Sequence, residues 1–233
     1  MSAPPSHKFT VTCALLIVIG FVARVALAWY STGTNDAGAW ERFARGVDAR
    51  GLRDAYARFP SLNHPPLPVL WAGSALGLAR GTGAPFAFVF KLPAVLADAA
   101  SCAILASVVA ARRGRRAGWA AAVAMALSPA AILVGAYHCN TDNVYAMLCL
   151  LACALLDRGR SFGAGTALAA AVNVKLIPVL LIPPLLAICR TRRDAQRFLA
   201  GCALGAIPLL IAWIDTGPAF AQHVLAYSPR TNR

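Results

Sequence analysis

The chain has 233 residues, of which 59% are hydrophobic and only 13% charged, and its mean hydropathy is +0.62. Soluble domains carry about twice that charged fraction, so a soluble globular enzyme is excluded and a polytopic membrane protein is indicated. The net charge of +13 does not imply nucleic acid as a partner: the basic residues sit in short loops between apolar runs, RRGRR (112–116), DRGR (157–160) and CRTRRDAQR (189–197), which is a positive-inside pattern.

The first apolar run, 10–30, is long enough to span a membrane, and no small-residue cleavage site follows it, so it reads as a retained span and not a signal peptide. The stretch STGTNDAGAWERF (31–43) comes next and places Asp36 about two turns beyond that span. Within the loop 31–65, Trp40, Phe43 and Val47 recur at helical spacing, with Glu41, Arg42, Arg45 and Asp48 between them. The pattern predicts an amphipathic helix lying in the membrane interface. The run 66–79, opened by HPPLPVL, is too short to cross and is expected to dip in and return or to lie at the surface. Further spans are predicted at 87–111, 117–137, 143–156, 162–174, 176–189 and 198–214. The pair 162–174 and 176–189 has basic loops on both sides, so it forms a hairpin whose apex is VNVKLIP (172–178). The seven cysteines are scattered through apolar runs without metal-ligand spacing and read as small core or lipid-phase residues.

If the basic loops are cytoplasmic, YHCNTDN (137–143), Lys175 and the loop 31–65 share the outer face. The alternative puts the N-terminus outside and Asp36 inside. Charged residues inside spans are costly and functional by default. Asp36 is either a general base or only the N-cap of the helix after it. Asp142 in CNTDN is either a site residue or a cap. Lys91 and Lys175 either hold a phosphate or snorkel to the interface. Asp98 reads as one half of a structural pair, with Lys91 or with Arg24. Arg24, His64 and His138 complete the candidates, each with an ordinary role as alternative: a snorkelling or paired helix end for Arg24, a turn before Pro65 for His64.

Taken in order, these elements resemble the GT-C superfamily of integral-membrane glycosyltransferases. The resemblance rests on an acid after the first span (GTNDAGAW), a PPL element (NHPPLPVL), a basic residue followed by a helix with an acid (FKLPAVLAD), a Pro-terminated helix leading to YHCNTDN, and a lysine–proline hairpin (VNVKLIPVLLIPPLL). It covers roughly residues 10 to 215, and its third and fourth elements look closest to GPI mannosyltransferase I and to the glucosyltransferases of lipid-linked oligosaccharide. The resemblance implies an all-α bundle of about seven to eight membrane segments, forming a single transmembrane domain over 1–233. It also implies transfer, with inversion, of a hexose or pentose from a polyprenyl-phosphate-linked donor to a glycan, lipid or protein acceptor at the outer face of a bacterial inner membrane.

In the family pattern Asp36 matches the first-loop acid, the general base. Lys91 and Lys175 match basic positions near the donor phosphate, joined by Arg24, and His64, His138 and Asp142 are expected around the same cavity. Many members carry a paired acid where this chain has only Asp36, so no obligatory metal is expected. Members also continue with further spans, so the chain reads as a short form or a piece. The rival expectations are a small transporter or flippase for a lipid-linked or anionic solute, and a non-catalytic membrane partner.

Overall fold

In lipid, backbone N–H and C=O groups must find partners within their own segment, which leaves the helix as the form available to apolar runs of this length. A computed structural model describes residues 7–225, and among them every regular element is helical. The helices are α1 (His7–Tyr30), α2 (Asn35–Arg58), α3 (Pro66–Thr82), α4 (Phe86–Arg113), α5 (Arg115–Ala126), α6 (Pro129–Ile132), α7 (Asp142–Asp157), α8 (Ser161–Val174), α9 (Ile182–Ala187), α10 (Arg192–Gly205), α11 (Ile207–Thr216) and α12 (Pro218–Phe220). A π turn, Leu133–Tyr137, continues α6, a 3-10 turn, Ile177–Leu181, leads into α9, and a second π turn, Ala221–Leu225, follows α12.

Punctuation in the sequence places the boundaries. Pro66 opens α3 after an extended Pro65, and Gly114, at φ 86°, ends α4. Ser128 accepts a hydrogen bond from the Ala131 amide and caps α6, and Thr191 does the same for α10 through the Asp194 amide. Three helical stretches are long and apolar enough to cross a membrane alone: Val11–Tyr30, Phe86–Arg113 and Arg192–Thr216. A fourth is the pair Arg115–Ala126 and Pro129–Tyr137, bent by 44° at the Leu127–Ser128 break before Pro129. The expectation of seven to eight segments also counted shorter apolar pieces, of which Ser161–Val174 and Ile177–Ala187 are two. The last span begins at Arg192 and not at 198, because the Thr191 cap lets the charged RRDAQR stretch enter the helix.

Side-chain pairs mark the two ends of the bundle. At one end Arg112 donates to Asp157 at 2.7 Å and the Ser161 hydroxyl to Asp194 at 3.4 Å, which gathers the three basic loops. Along α1 and α4, Cys13 packs with Cys102 and Ala106, Arg24 meets Asp98, and Lys91 reaches Ser31. The two helices are therefore antiparallel, and α1 starts at the basic end. Because α1 finishes and α4 begins at the opposite end, α2 and α3 form an excursion there, as the short 66–79 run requires.

The amphipathic helix expected in 31–65 is α2, but protein and not lipid covers its apolar stripe. Trp40, Phe43 and Ala44 are buried in one cluster with Val69, Ala72 and Leu76 of α3 and with Phe86, Val89 and Phe90 of α4. Trp40 stacks on Phe90 at 4.9 Å and Phe90 on Trp71 at 4.7 Å. The helix breaks at Gly51, whose φ of 83° suits a residue without a Cβ.

The helix that ends at Lys175, α8, is held by a close crossing with α10 near its start. A Cβ on Gly165 would lie 2.0 Å from the Phe198 carbonyl oxygen, and one on Gly201 would lie 2.1 Å from that of Phe162. The two glycines thus admit each other's backbone, in the manner of small-residue membrane crossings. Asn173 adds two bonds of 2.8 Å, to the carbonyls of Ala169 and Gly205. Gly165→Leu is expected to cost ~1–3 kcal/mol or more by overpacking, seen as a lowered Tm in detergent, and an unchanged Tm would mean that the crossing is not tight.

Candidate functional site

At the end of the bundle away from the basic loops lies a cavity of about 390 Å³, lined by Asp36, Trp40 and Arg42 of α2, Asn63 and His64 before α3, Asn140 before α7, and Lys175 after α8. Each wall has a local cause. The N-cap of α2 is Thr34, extended at φ −96° and ψ −174°, and its side chain makes no cap bond. Its hydroxyl donates instead to the His138 carbonyl at 2.9 Å. Asp36 therefore sits in the first turn and is not the cap, which removes the ordinary alternative weighed for it. Its carboxylate is exposed and makes no hydrogen bond or ion pair with another described residue. The positive end of the α2 dipole favours a negative charge at this place.

Lys175 comes where α8 stops, with extended backbone at φ −154° and ψ 142°, three residues before Pro178. Its ammonium donates to Asp142 at 2.6 Å and lies 5.5 Å from the centre of the Tyr145 ring. Asp142 is in the first turn of α7, after Thr141, and also accepts from the Asn140 amide at 3.3 Å. The apex expected at 172–178 is thus real, and its lysine is paired to the acid of CNTDN. Both partners remain about one third exposed, with relative accessibilities of 29% and 33%, so a bound anion can reach the lysine.

His64 rests on Trp40 with ring centres 4.7 Å apart, and its carbonyl accepts from the Tyr56 hydroxyl at 2.6 Å. Burial, and next the Lys175 charge, lower its pKa from 6.5 to about 4, with Asp142 pulling the other way. It is a neutral imidazole at neutral pH.

Three of the expected site residues are placed elsewhere. Lys91 is only 1% exposed. Its ammonium donates to the Ser31 carbonyl at 2.7 Å and to the Ser31 hydroxyl at 2.9 Å, so it clamps the start of the α1–α2 connection and does not face the cavity. Arg24 is 3% exposed and bonds Asp98 at 2.9 Å together with the carbonyls of Gly20, Ala126 and Met125. Of the two partners weighed for Asp98, the structure selects Arg24. His138 is exposed beside Tyr137 and serves through its backbone carbonyl, not its ring. Next to it Cys139 is buried at a positive φ of 64°, and burial pushes its thiol up to about 12, so it is unreactive.

Sequence reasoning missed Arg42. It is exposed, lines the cavity and has no ion-pair partner among the described residues. The available signal was its place on the polar side of the amphipathic stretch after Asp36, discounted as ordinary solvated charge. Among the described residues no cluster of three or more His, Cys, Asp or Glu side chains is arranged to hold a metal ion.

An acid and two cations thus share one cavity at the end of a helical bundle. The sequence model of glycosyltransferase family 87 matches residues 82–232, well over half of the chain, and the chain belongs to that family. It is therefore a glycosyltransferase carried in a membrane protein. The matched stretch contains Lys91, His138, Asp142 and Lys175 and begins after Asp36, Arg42 and His64. No curated protein and no solved structure matches the chain.

The lowered His64 pKa has a sign that can be checked. Between about pH 6.5 and 4 the unfolded chain takes up a proton that folded His64 refuses. Stability is therefore full above pH 6.5 and falls as the pH drops through that window. His64→Gln is expected to flatten the dependence of Tm on pH between 4 and 6.5, and an unaltered slope would show that His64 titrates normally.

Proposed function

We propose that the chain transfers a sugar from a polyprenyl-phosphate-linked donor to an acceptor hydroxyl at the outer face of a bacterial cytoplasmic membrane, inverting the anomeric centre. The observation that carries the proposal is an unpartnered carboxylate, Asp36, lining the same cavity as Lys175 and Arg42, at the end of the bundle opposite the basic loops. The positive-inside rule assigns those loops to the cytoplasm and hence the cavity to the other side. The likeness to GPI mannosyltransferase I and the lipid-linked-oligosaccharide glucosyltransferases supports the choice of donor.

Asp36 takes the proton of the acceptor hydroxyl as that oxygen bonds to the anomeric carbon. The bond from that carbon to the phosphate oxygen breaks, and its electron pair leaves with the phosphate. Lys175 and Arg42 face the charge that develops there. A single displacement asks for one base, which suits one free carboxylate; a covalent intermediate would ask for a second, closely placed one. Asp142 holds Lys175 in position, and neutral His64 offers a hydrogen bond to a sugar hydroxyl without adding charge. No metal is required in this scheme. Movement of a lipid-linked solute is a second reading, favoured by the broken α8–α9 pair with a lysine at the break; membership of a glycosyltransferase family weighs against it.

The decisive assay is transfer of radiolabelled sugar from polyprenyl-phosphate donors by the purified chain in nanodiscs. Asp36→Asn is expected to lower kcat by ~10²–10⁴-fold while donor binding persists; full turnover in this variant would remove Asp36 as the base. Lys175→Ala is expected to raise KM for the donor and to lower kcat, and EDTA to leave the rate unchanged. A rate abolished by EDTA and restored by a divalent cation would overturn the metal-free scheme.

A further inference from the structure

A second cavity, of about 660 Å³, lies on the other side of the α2 N-terminus. Thr32, Asn35, Glu41 and Arg42 supply its polar wall, and Phe86 with Pro85 an apolar one. Asn35 and Arg42 line both cavities, so the two meet along the first two turns of α2. On a helix, Asn35, Gly38 and Arg42 lie on one face at spacings of three and four. Asp36 lies about 100° around from Asn35, toward the smaller cavity. A ligand in the larger cavity thus has its nearest edge at the seam beside Asp36.

We propose that this second cavity binds the acceptor as a neutral glycan of at least two sugar units, with its terminal hydroxyl laid across the α2 seam toward Asp36. The inference rests on the glycosyltransfer reading and adds to it the place and class of the acceptor. Three features of the wall carry it. Hydroxyl, amide and carboxylate groups stand beside an aromatic ring and a proline, the mixture that takes sugar hydroxyls on one side and C–H faces on the other. Glu41 commits one carboxylate oxygen to Arg45 at 2.6 Å, which leaves the second for a ligand hydroxyl. The volume falls within the ~300–1,000 Å³ of sites for drug-sized ligands, and a single hexose is much smaller than these. The smaller cavity, with Lys175, remains for the sugar phosphate.

Gly38 gives a clean test. It lines the larger cavity only, and a Cβ there would meet nothing nearer than the Arg42 guanidinium at 3.6 Å. Gly38→Phe therefore fills the acceptor cavity without strain in the helix, and Gly38→Ala serves as the folding control because it adds one methyl and favours the helix. The probes are octyl glycosides of mannose, glucose and galactose, as mono-, di- and trisaccharides. In the transfer assay KM for the preferred sugar is expected to fall at least ~10-fold from mono- to disaccharide. Gly38→Phe is expected to raise the disaccharide KM by at least ~10-fold, well beyond any change in the donor KM that its contact with Arg42 brings. Binding of the same glycosides, followed by saturation-transfer NMR in the absence of donor, should be lost in Gly38→Phe and kept in Gly38→Ala. Glycoside binding that disappears in Gly38→Phe while no preparation transfers sugar would support the site and sink the transfer reading. Equal disaccharide KM and equal binding in wild type and Gly38→Phe would overturn the assignment of this cavity, whatever Asp36→Asn does to the rate.

Discussion

One buried knot of charge organises this bundle. A guanidinium among apolar helices is tolerated only when its charge and its donors are met by protein. Arg24 meets that demand with the Asp98 carboxylate and three backbone carbonyls. Two of those carbonyls, Met125 and Ala126, belong to the end of α5, where Pro129 has no N–H to give Met125 its α-helical partner and the Ser128 amide bonds it at 3.3 Å instead. The arginine thereby satisfies a helix end that the proline exposes. The other oxygen of Asp98 accepts from Asn143 in the first turn of α7. Four helices, α1, α4, α5 and α7, are thus tied at one level, and removing any partner would strand a polar group away from water.

The site is built outward from that knot. Asn143 is the neighbour of Asp142, so the residue that fixes α7 against α4 also sets the acid that holds Lys175. On the other side, Lys91 of α4 grips Ser31, and Thr34 binds the His138 carbonyl. These two contacts locate the backbone just before Asp36. The free acid, Asp36, and the lysine of the cavity, Lys175, therefore come from segments 139 residues apart in the chain, each referred to the same interior helix. The carboxylate itself stays free, which is what a proton acceptor requires.

Much of the architecture could be read from the residues. Apolar runs, basic loops and Pro or Gly punctuation place α1, α4, α7 and the Lys175 apex close to where they occur, because each signal is local. The excursion of α2 and α3 followed from loop parity. What the sequence left open depends on neighbours across space. The stripe of Trp40 and Phe43 has the same period whether it meets lipid or α3, so its covering by protein could not be read from spacing. The same holds for the basic residues: nothing in FKLPAVLAD says whether Lys91 faces a cavity or a serine, and only the antiparallel register of α1 and α4 decides it. Arg42 escaped for the opposite reason, since a charge on the polar face of an amphipathic helix looks ordinary until a cavity is found beside it. Lys175 stood out because it interrupts an apolar run, and Asp142 because it lies in the short polar loop between two.

The π turn at Leu133–Tyr137 has a consequence for how this chain can change over time. It inserts an extra residue into what would otherwise be a plain continuation of α6. Gly135 packs there so closely on Asn143 and Asp98 that a Cβ would lie 2.7 Å from each. Deleting one residue would restore ordinary helical winding and displace Gly135 from this contact. Point substitutions on the lipid-facing side of this segment, such as at Leu133, are then far better tolerated than any change of length. Lineages of this protein should vary freely in the side chains here while keeping the residue count between Pro129 and Asp142 constant.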